Sequence, residues 1–191
     1  TSDAVALAEW SQKVGCYGIQ LSPTWYYPPN EAQIYEHFKA VASSIDICVM
    51  VYHTPWLDSH MSIDLIKRLW TDFGNIRSIK WSASDEREVM DGYIQLADQY
   101  AIIDNGSAVP QAALLGATGF VTHLANAWPE HDVALWNTWA AGDHAAGTAE
   151  FVQVNWVWRE LRGWAAREIS GGESFLVKPA AEMCGFVGRP S

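Results

Sequence analysis

The sequence is poor in positive charge, in cysteine and in long uninterrupted apolar segments. Its 12 Lys and Arg residues are outnumbered by 22 Asp and Glu residues, which gives a formal net charge of −10. Such a surface repels phosphate backbones and anionic lipid headgroups, so it argues against nucleic-acid and membrane partners and favours a small molecule. The uncharged stretch 105–129 is divided by glycine, proline and asparagine, which favours buried strands and turns over a membrane span.

The three cysteines are too few for a disulfide framework. Cys16, Cys48 and Cys184 form an odd set without C-x-x-C spacing, and each has apolar or small neighbours. This usage predicts reduced core thiols and a cytoplasmic protein.

The sequence does contain a regular alternation of short apolar strands and helical segments. Strands are predicted at 17–21, 47–52, 76–81, 100–103 and 119–124, and the segments 130–142, 145–168 and 173–184 have helical patterns. Continuous apolar strands are typical of a parallel sheet covered by helices. A doubly wound sheet and a (β/α)8 barrel both fit, although a barrel normally takes about 250 residues. We expect five β/α units in residues 1–128 and packing helices in residues 129–191.

In either architecture, ligands bind at the carboxyl ends of the strands. Strands two to five deliver these residues there: Tyr52 and His53, Lys80 and Trp81, Asp104 and Asn105, and His123 with Asn126. Alternation places Lys80 on the face opposite to Ile79, which in a barrel is the interior. An amine with reduced hydration attacks carbonyl carbons, and a neighbouring tyrosine moves protons. Lys80 together with Tyr52 therefore indicates Schiff-base chemistry.

Several motifs together carry a family resemblance. Val51-Tyr52-His53-Thr54-Pro55 resembles a Tyr-Asn-x-Pro strand end, and Ile79-Lys80-Trp81-Ser82-Ala83-Ser84-Asp85 resembles an Ile-Lys-x-x-x-Gly-Asp motif, with the family separation of 28 positions between Tyr52 and Lys80. Thr24-Trp25-Tyr26-Tyr27, Leu115-Gly116-Ala117-Thr118-Gly119 and Ala125-Asn126 fit the same pattern. Over its whole length the chain resembles the dihydrodipicolinate synthase and N-acetylneuraminate lyase superfamily of class I aldolases and dehydratases.

The resemblance implies a (β/α)8 TIM barrel of which this chain supplies strands 4 to 8 and a C-terminal helical region. It makes Lys80 the Schiff-base lysine, Tyr52 the proton-relay tyrosine and Tyr26 an aromatic residue lent across a subunit interface. The expected substrate-binding residues are His53, Trp81, Asp104, Asn105, His123 and Asn126. The implied protein is a homo-oligomer, a tetramer or dimer, that needs no cofactor and acts on a 2-oxo acid such as a pyruvate-derived substrate.

Departures from the family pattern narrow these expectations. Residue 1 aligns with the helix after the third barrel strand, so we expect a fragment of a longer chain, or a barrel completed by a partner, and no activity from these 191 residues alone. Trp56-Leu57-Asp58 stands where the synthase branch has an arginine, and Ser107-Ala108-Val109 replaces the acidic residues of the sialic-acid branch. Dihydrodipicolinate synthesis and the cleavage of sialic acid are therefore both disfavoured. Aromatic residues at the strand ends suggest a flat distal group on the substrate.

Two other classes of protein remain open. One is a non-catalytic keto-acid-binding relative on the same fold, for which the replacement of the usual asparagine by His53 leaves room. The other is a metal-dependent TIM-barrel enzyme, because His53, Asp58 and His60 are close in sequence. Their spacing matches no zinc motif, so no metal ligands are predicted.

Overall fold

The computed structural model describes residues 1–23, 27–57, 59–106, 108–169 and 174–186. The chain divides into two compact units, Thr1–Phe120 and Val121–Ser191. The predicted boundary between residues 128 and 129 lies slightly later. Among the helices so described, none is both long and apolar enough to cross a membrane.

The first unit alternates strands with helices along the chain. Its strands are β1 (Gly18–Leu21), β2 (Cys48–Tyr52), β3 (Ile76–Trp81), β4 (Ala101–Asp104) and β5 (Gly119–Phe120). Its α-helices are α1 (Ser2–Lys13), α2 (Glu31–Ala42), α3 (Ile63–Asp72), α4 (Glu86–Leu96) and α5 (Val109–Leu114). All five predicted strands are present, but β5 ends at Phe120 rather than at 124, and a 3-10 helix, Leu124–Asn126, occupies the end of the predicted segment.

The strand order decides between the two architectures that the sequence left open. The five strands pair in parallel in the order β1-β2-β3-β4-β5. A doubly wound sheet reverses its strand order at a switch point, whereas a barrel adds each strand beside the preceding one. The sheet therefore has the winding of a barrel wall.

The two faces of this sheet differ in burial. On one face Val49, Val51, Ile79 and Ile102 are fully buried in a core that also contains apolar residues of α2, α3 and α4. The alternate residues on β2 and β3, namely Met50, Tyr52, Ser78 and Lys80, are only half-buried. The helices therefore cover one face, while the face that carries Lys80 stays partly accessible.

Side-chain caps fix where the helices begin. Ser62 accepts a hydrogen bond from the Leu65 backbone N–H at 3.2 Å and starts α3. Asp85 accepts a hydrogen bond from the Glu88 backbone N–H at 2.9 Å and starts α4. These caps satisfy backbone donors that have no partner within the helix.

The second unit is helical. It contains α6 (Pro129–Ala140), α7 (His144–Phe151), α8 (Val157–Glu168) and α9 (Ser174–Met183). The predicted single helix 145–168 is interrupted by a π-helical segment, Val152–Trp156. The wider turn carries the buried Asn155, which accepts a hydrogen bond from His131 Nε2 at 2.8 Å and donates one to Asp132 Oδ1 at 2.7 Å. The apolar pattern did not reveal this interruption, because the partners of Asn155 lie on α6, more than 20 positions away in the sequence.

The predicted burial of the cysteines is wrong. All three thiols are free, but Cys16 and Cys184 are exposed and Cys48 is only half-buried. Cys16 follows Gly15, and Cys184 precedes Gly185, and both glycines have a positive φ at turns after helices. The chain leaves the core at these turns, so apolar sequence neighbours do not bury the thiols.

Gly92 on α4 lies against the indole ring of Trp81, and a methyl group added there would overlap the ring. We expect Gly92→Ala to lower the free energy of unfolding by about 1–3 kcal/mol through overpacking, although alanine favours a helix by about 1 kcal/mol. Gly163→Ala on α8 is the control, because its methyl group would meet only the end of the Arg167 side chain, and it should stabilise. Urea unfolding measures both, and a Gly92→Ala chain as stable as the wild type would contradict this packing.

Candidate active site

A tyrosine and a lysine lie next to each other at the carboxyl ends of β2 and β3. Tyr52 is the last residue of β2, and the parallel register pairs it with Lys80 on β3. The Lys80 Nζ atom lies 4.0 Å from the centroid of the Tyr52 ring, over its face. A cation at this distance from an aromatic face is attracted by the ring quadrupole. The predicted adjacency of the two side chains is confirmed.

An exposed tryptophan extends this pair towards solvent. Trp56 lies in the 3-10 helix Pro55–Leu57 that follows β2, and its ring centroid is 5.8 Å from that of Tyr52, at an interplanar angle of 64°. Its side chain is 54% exposed. The aromatic surface that the sequence predicted at the strand ends is therefore present at Trp56.

The structure corrects the predicted positions of His53 and Trp81. They are 0% and 1% exposed, and their rings stack at 4.7 Å with an interplanar angle of 11°. His53 directly follows Tyr52, and Trp81 directly follows Lys80. Because successive side chains of a strand point to opposite faces, both rings point away from the accessible face and towards the helices. The Trp81 indole donates a hydrogen bond to the Val89 carbonyl of α4 at 3.2 Å. Both rings thus belong to the core between the sheet and the helices rather than to the accessible face that carries Lys80.

Backbone groups occupy both ring nitrogens of His53. Its Nδ1 lies 2.6 Å from the Ser82 carbonyl, and the Met61 backbone N–H donates to Nε2 at 3.3 Å. This pattern requires the neutral ring with its proton on Nδ1. Burial lowers the pKa of His53, while the hydrogen bond to Ser82 opposes that shift. The residue therefore links the end of β2 to the end of β3.

Asp104 also lies on the helix-facing side, contrary to its predicted place. It is fully buried, and its Oδ2 accepts a hydrogen bond from the Tyr93 hydroxyl of α4 at 2.6 Å. Burial, followed by the charge of Asp104, raises the pKa of Tyr93. The next residue, Asn105, is half-buried, and its backbone N–H donates to the Trp81 carbonyl at 2.9 Å. Asp104 thus anchors the strand end, and Asn105 continues the ladder beyond it.

The remaining predicted residues are divided between the second unit and undescribed positions. His123 accepts a hydrogen bond from Arg162 at Nδ1, and the exposed Asn126 side chain donates to the His123 carbonyl at 3.1 Å. Both residues belong to the second unit. Tyr26, Trp25 and Asp58 lie outside the described residues.

Sequence reasoning missed two residues near these strand ends. Tyr93 is buried beneath Asp104, and its spacing from Val89 and Leu96 on the buried face of α4 was the available signal. Glu88 lies with its Oε1 2.5 Å from His60 Nε2. No local spacing connects Glu88 with His60, because they lie on different elements 28 positions apart.

The parallel winding is that of part of a (β/α)8 barrel, and the paired lysine and tyrosine lie at the carboxyl ends of its strands. A profile of the dihydrodipicolinate synthetase family matches residues 1–190. The chain belongs to the dihydrodipicolinate synthetase family.

Similar proteins agree with this assignment. The 4-hydroxy-tetrahydrodipicolinate synthase of Methanothrix thermoacetophila is 31% identical over 147 residues, which are 75% of this chain and 49% of that protein. The solved synthase of Methylacidiphilum fumariolicum SolV superposes with a TM-score of 0.84 at 22% identity, covering 100% of this chain and 62% of that one. YagE of E. coli K12, solved in complex with pyruvate, gives a TM-score of 0.81 at 22% identity, covering 96% of this chain and 61% of that one.

These likenesses confirm the predicted fold class, a partial TIM barrel. The chain spans about half the length of the curated relatives that it matches. The described residues form five parallel strands, where a complete barrel has eight, in keeping with the 61–62% of the solved relatives that the chain covers.

The hydrogen bond between Tyr93 and Asp104 provides a stability test. We expect Tyr93→Phe to lower the free energy of unfolding by about 1.5–3 kcal/mol, because the acceptor is a buried carboxylate. Tyr100→Phe is the matched control, since this buried hydroxyl donates to the neutral Ile66 carbonyl at 2.7 Å and should cost about 0.5–1.5 kcal/mol. Chemical denaturation compares the two variants. Equal losses would show that the charge of Asp104 adds nothing.

Proposed function

We propose that this chain carries the reactive lysine of a Schiff-base-forming lyase, an aldolase or dehydratase acting on a 2-oxo acid such as a pyruvate-derived substrate. The observation that carries the proposal is the pairing of Lys80 with Tyr52, whose ring centroid lies 4.0 Å from Nζ on the accessible face of the sheet. Family membership supports it, as does the solved relative in complex with pyruvate. The protein as a whole is proposed to be a cytoplasmic homo-oligomer.

In the proposed mechanism, the neutral amine of Lys80 adds to the C2 carbonyl of the 2-oxo acid, and the adduct takes up a proton and loses water to give a cationic iminium. The iminium then accepts the electron pair of a bond to the neighbouring carbon, C3. In aldol cleavage the carbon–carbon bond at C3 breaks while the hydroxyl of the departing fragment loses its proton and becomes a carbonyl; in dehydration C3 loses a proton, and the resulting enamine expels a hydroxide, which leaves as water after protonation. Hydrolysis of the iminium returns the Lys80 amine. The Tyr52 hydroxyl gives or takes the proton at the reacting oxygen. The face of its ring, already 4.0 Å from Nζ, also favours a cation at that position.

The residues predicted to bind the substrate fall into two groups with different proposed roles. The first group is proposed to contact the substrate or to act across an interface, and it comprises Asn105, His123, Asn126 and Tyr26. Their neighbours His53, Trp81 and Asp104 are proposed to position the strand ends, because their side chains are buried on the helix side. The exposed ring of Trp56 beside Tyr52 supports a flat group at the distal end of the substrate.

Borohydride trapping tests the reactive lysine. The longest native form of the protein is incubated with pyruvate, reduced and mapped by peptide mass. We expect a pyruvyl adduct on Lys80, and none at this position in Lys80→Arg, which keeps the charge but cannot form the iminium. Lys178→Arg, at an exposed position on α9, is the control and should trap as the wild type does. An adduct on another lysine would overturn the assignment, and pyruvate binding without any adduct would favour the non-catalytic relative.

Tyr52→Phe separates proton transfer from iminium formation. It keeps the ring face beside Lys80, so we expect the pyruvyl adduct to form while kcat falls by roughly 10²–10⁴-fold. Steady-state kinetics with the cognate 2-oxo acid measure this loss. An unchanged kcat would remove Tyr52 from the proton relay.

A further inference from the structure

Three potential metal ligands converge just beyond the ends of β2 and β3, on the side of the sheet that packs against the helices. His53 follows β2, His60 lies in the loop before α3, and Glu88 lies in the first turn of α4. One ligand atom from each lies within 4.8 Å of the others. The rings of His53 and His60 meet edge to face at 5.3 Å between centroids.

The hydrogen bonds of His53 prepare it as a ligand. Its Nδ1 proton points at the Ser82 carbonyl at 2.6 Å, so the lone pair is on Nε2. That lone pair accepts only a long hydrogen bond, 3.3 Å, from the Met61 backbone N–H. Metal-bound histidines are commonly oriented in this way, with the second ring nitrogen donating to a backbone carbonyl.

His60 and Glu88 supply the other two donors. Their side chains are 57% and 22% exposed, and Nε2 lies 2.5 Å from Oε1. The second carboxylate oxygen of Glu88 accepts a hydrogen bond from the Ser84 backbone N–H at 3.1 Å, which orients the group. Ligands on a tetrahedral ion lie roughly 3.4 Å apart, given metal–ligand distances of about 2.0–2.2 Å. The pair therefore needs to open by only about 1 Å to admit an ion.

We infer that His53, His60 and Glu88 form a binding site for a divalent transition metal, with Zn²⁺ the ion that two imidazoles and one carboxylate suit best. Mg²⁺ and Ca²⁺ prefer sites made of oxygen atoms alone, so this site, with two imidazole nitrogens, does not suit either ion. An ion here would join the loop 53–62 to the first turn of α4. The inference is independent of the iminium chemistry, because Lys80 and Tyr52 lie on the opposite face of the sheet.

Isothermal titration calorimetry of Zn²⁺ binding to the chelator-treated full chain tests the site. Co²⁺, whose visible absorption reports coordination geometry, serves as a second probe. We expect one equivalent to bind and Co²⁺ to give the absorption of a tetrahedral site. Both His60→Ala and Glu88→Gln should weaken Zn²⁺ binding by roughly 100-fold or more, exceeding the loss usual for an outer partner of a ligand. Because the His60 side chain is largely exposed, we expect His60→Ala to fold with its core packing unchanged.

Two controls and a second readout complete the test. Glu86→Gln changes an exposed carboxylate in the same turn of α4, and His144→Ala removes a histidine of the second unit; both should bind Zn²⁺ as the wild type does. Zn²⁺ should also raise the Tm of the wild type and not that of His60→Ala. The inference is overturned if Co²⁺ shows no tetrahedral absorption, or if His60→Ala and Glu88→Gln bind as tightly as the two controls.

Discussion

Successive side chains along a β-strand leave opposite faces of the sheet, and the arrangement of this protein around its candidate site depends on that constraint. The parallel register aligns Tyr52 with Lys80 on the partly accessible face. The next residues, His53 and Trp81, are consequently directed to the helix-covered face, where their rings stack. Two successive positions on each strand thus supply both the Tyr52–Lys80 pair and the packing beneath it.

The packing on the covered face holds the strand ends in register. His53 contacts the Ser82 carbonyl, and the Trp81 indole donates to the Val89 carbonyl of α4. Gly92 leaves the space that this indole occupies. These contacts lie on the opposite face of the sheet from Tyr52 and Lys80, at the same strand ends. A metal ion on His53 would reinforce the same junction from the loop side.

The described part of the chain forms five strands, where a closed barrel has eight, and one face of this sheet is partly accessible. In a complete barrel the inward-facing side chains fill a packed interior, whereas here Met50, Tyr52 and Lys80 are half-buried. Relatives in the dihydrodipicolinate synthetase family are about twice as long as the segment they share with this chain. Tyr52 and Lys80, on which the proposed chemistry depends, both lie within the first unit, Thr1–Phe120.

The sequence by itself determined the existence of the five strands and the placing of Tyr52 and Lys80 at the ends of neighbouring strands, because the hydrophobic period along each strand is a local property. Sequence reasoning placed His53, Trp81 and Asp104 among the substrate-binding residues, because it used their position at the strand ends and not the face of the sheet to which their side chains point. The contacts of Tyr93 with Asp104 and of Glu88 with His60 were decided only by tertiary structure. Those partners come from different elements, and only the packing of α4 against the sheet and its loops brings them within hydrogen-bonding distance.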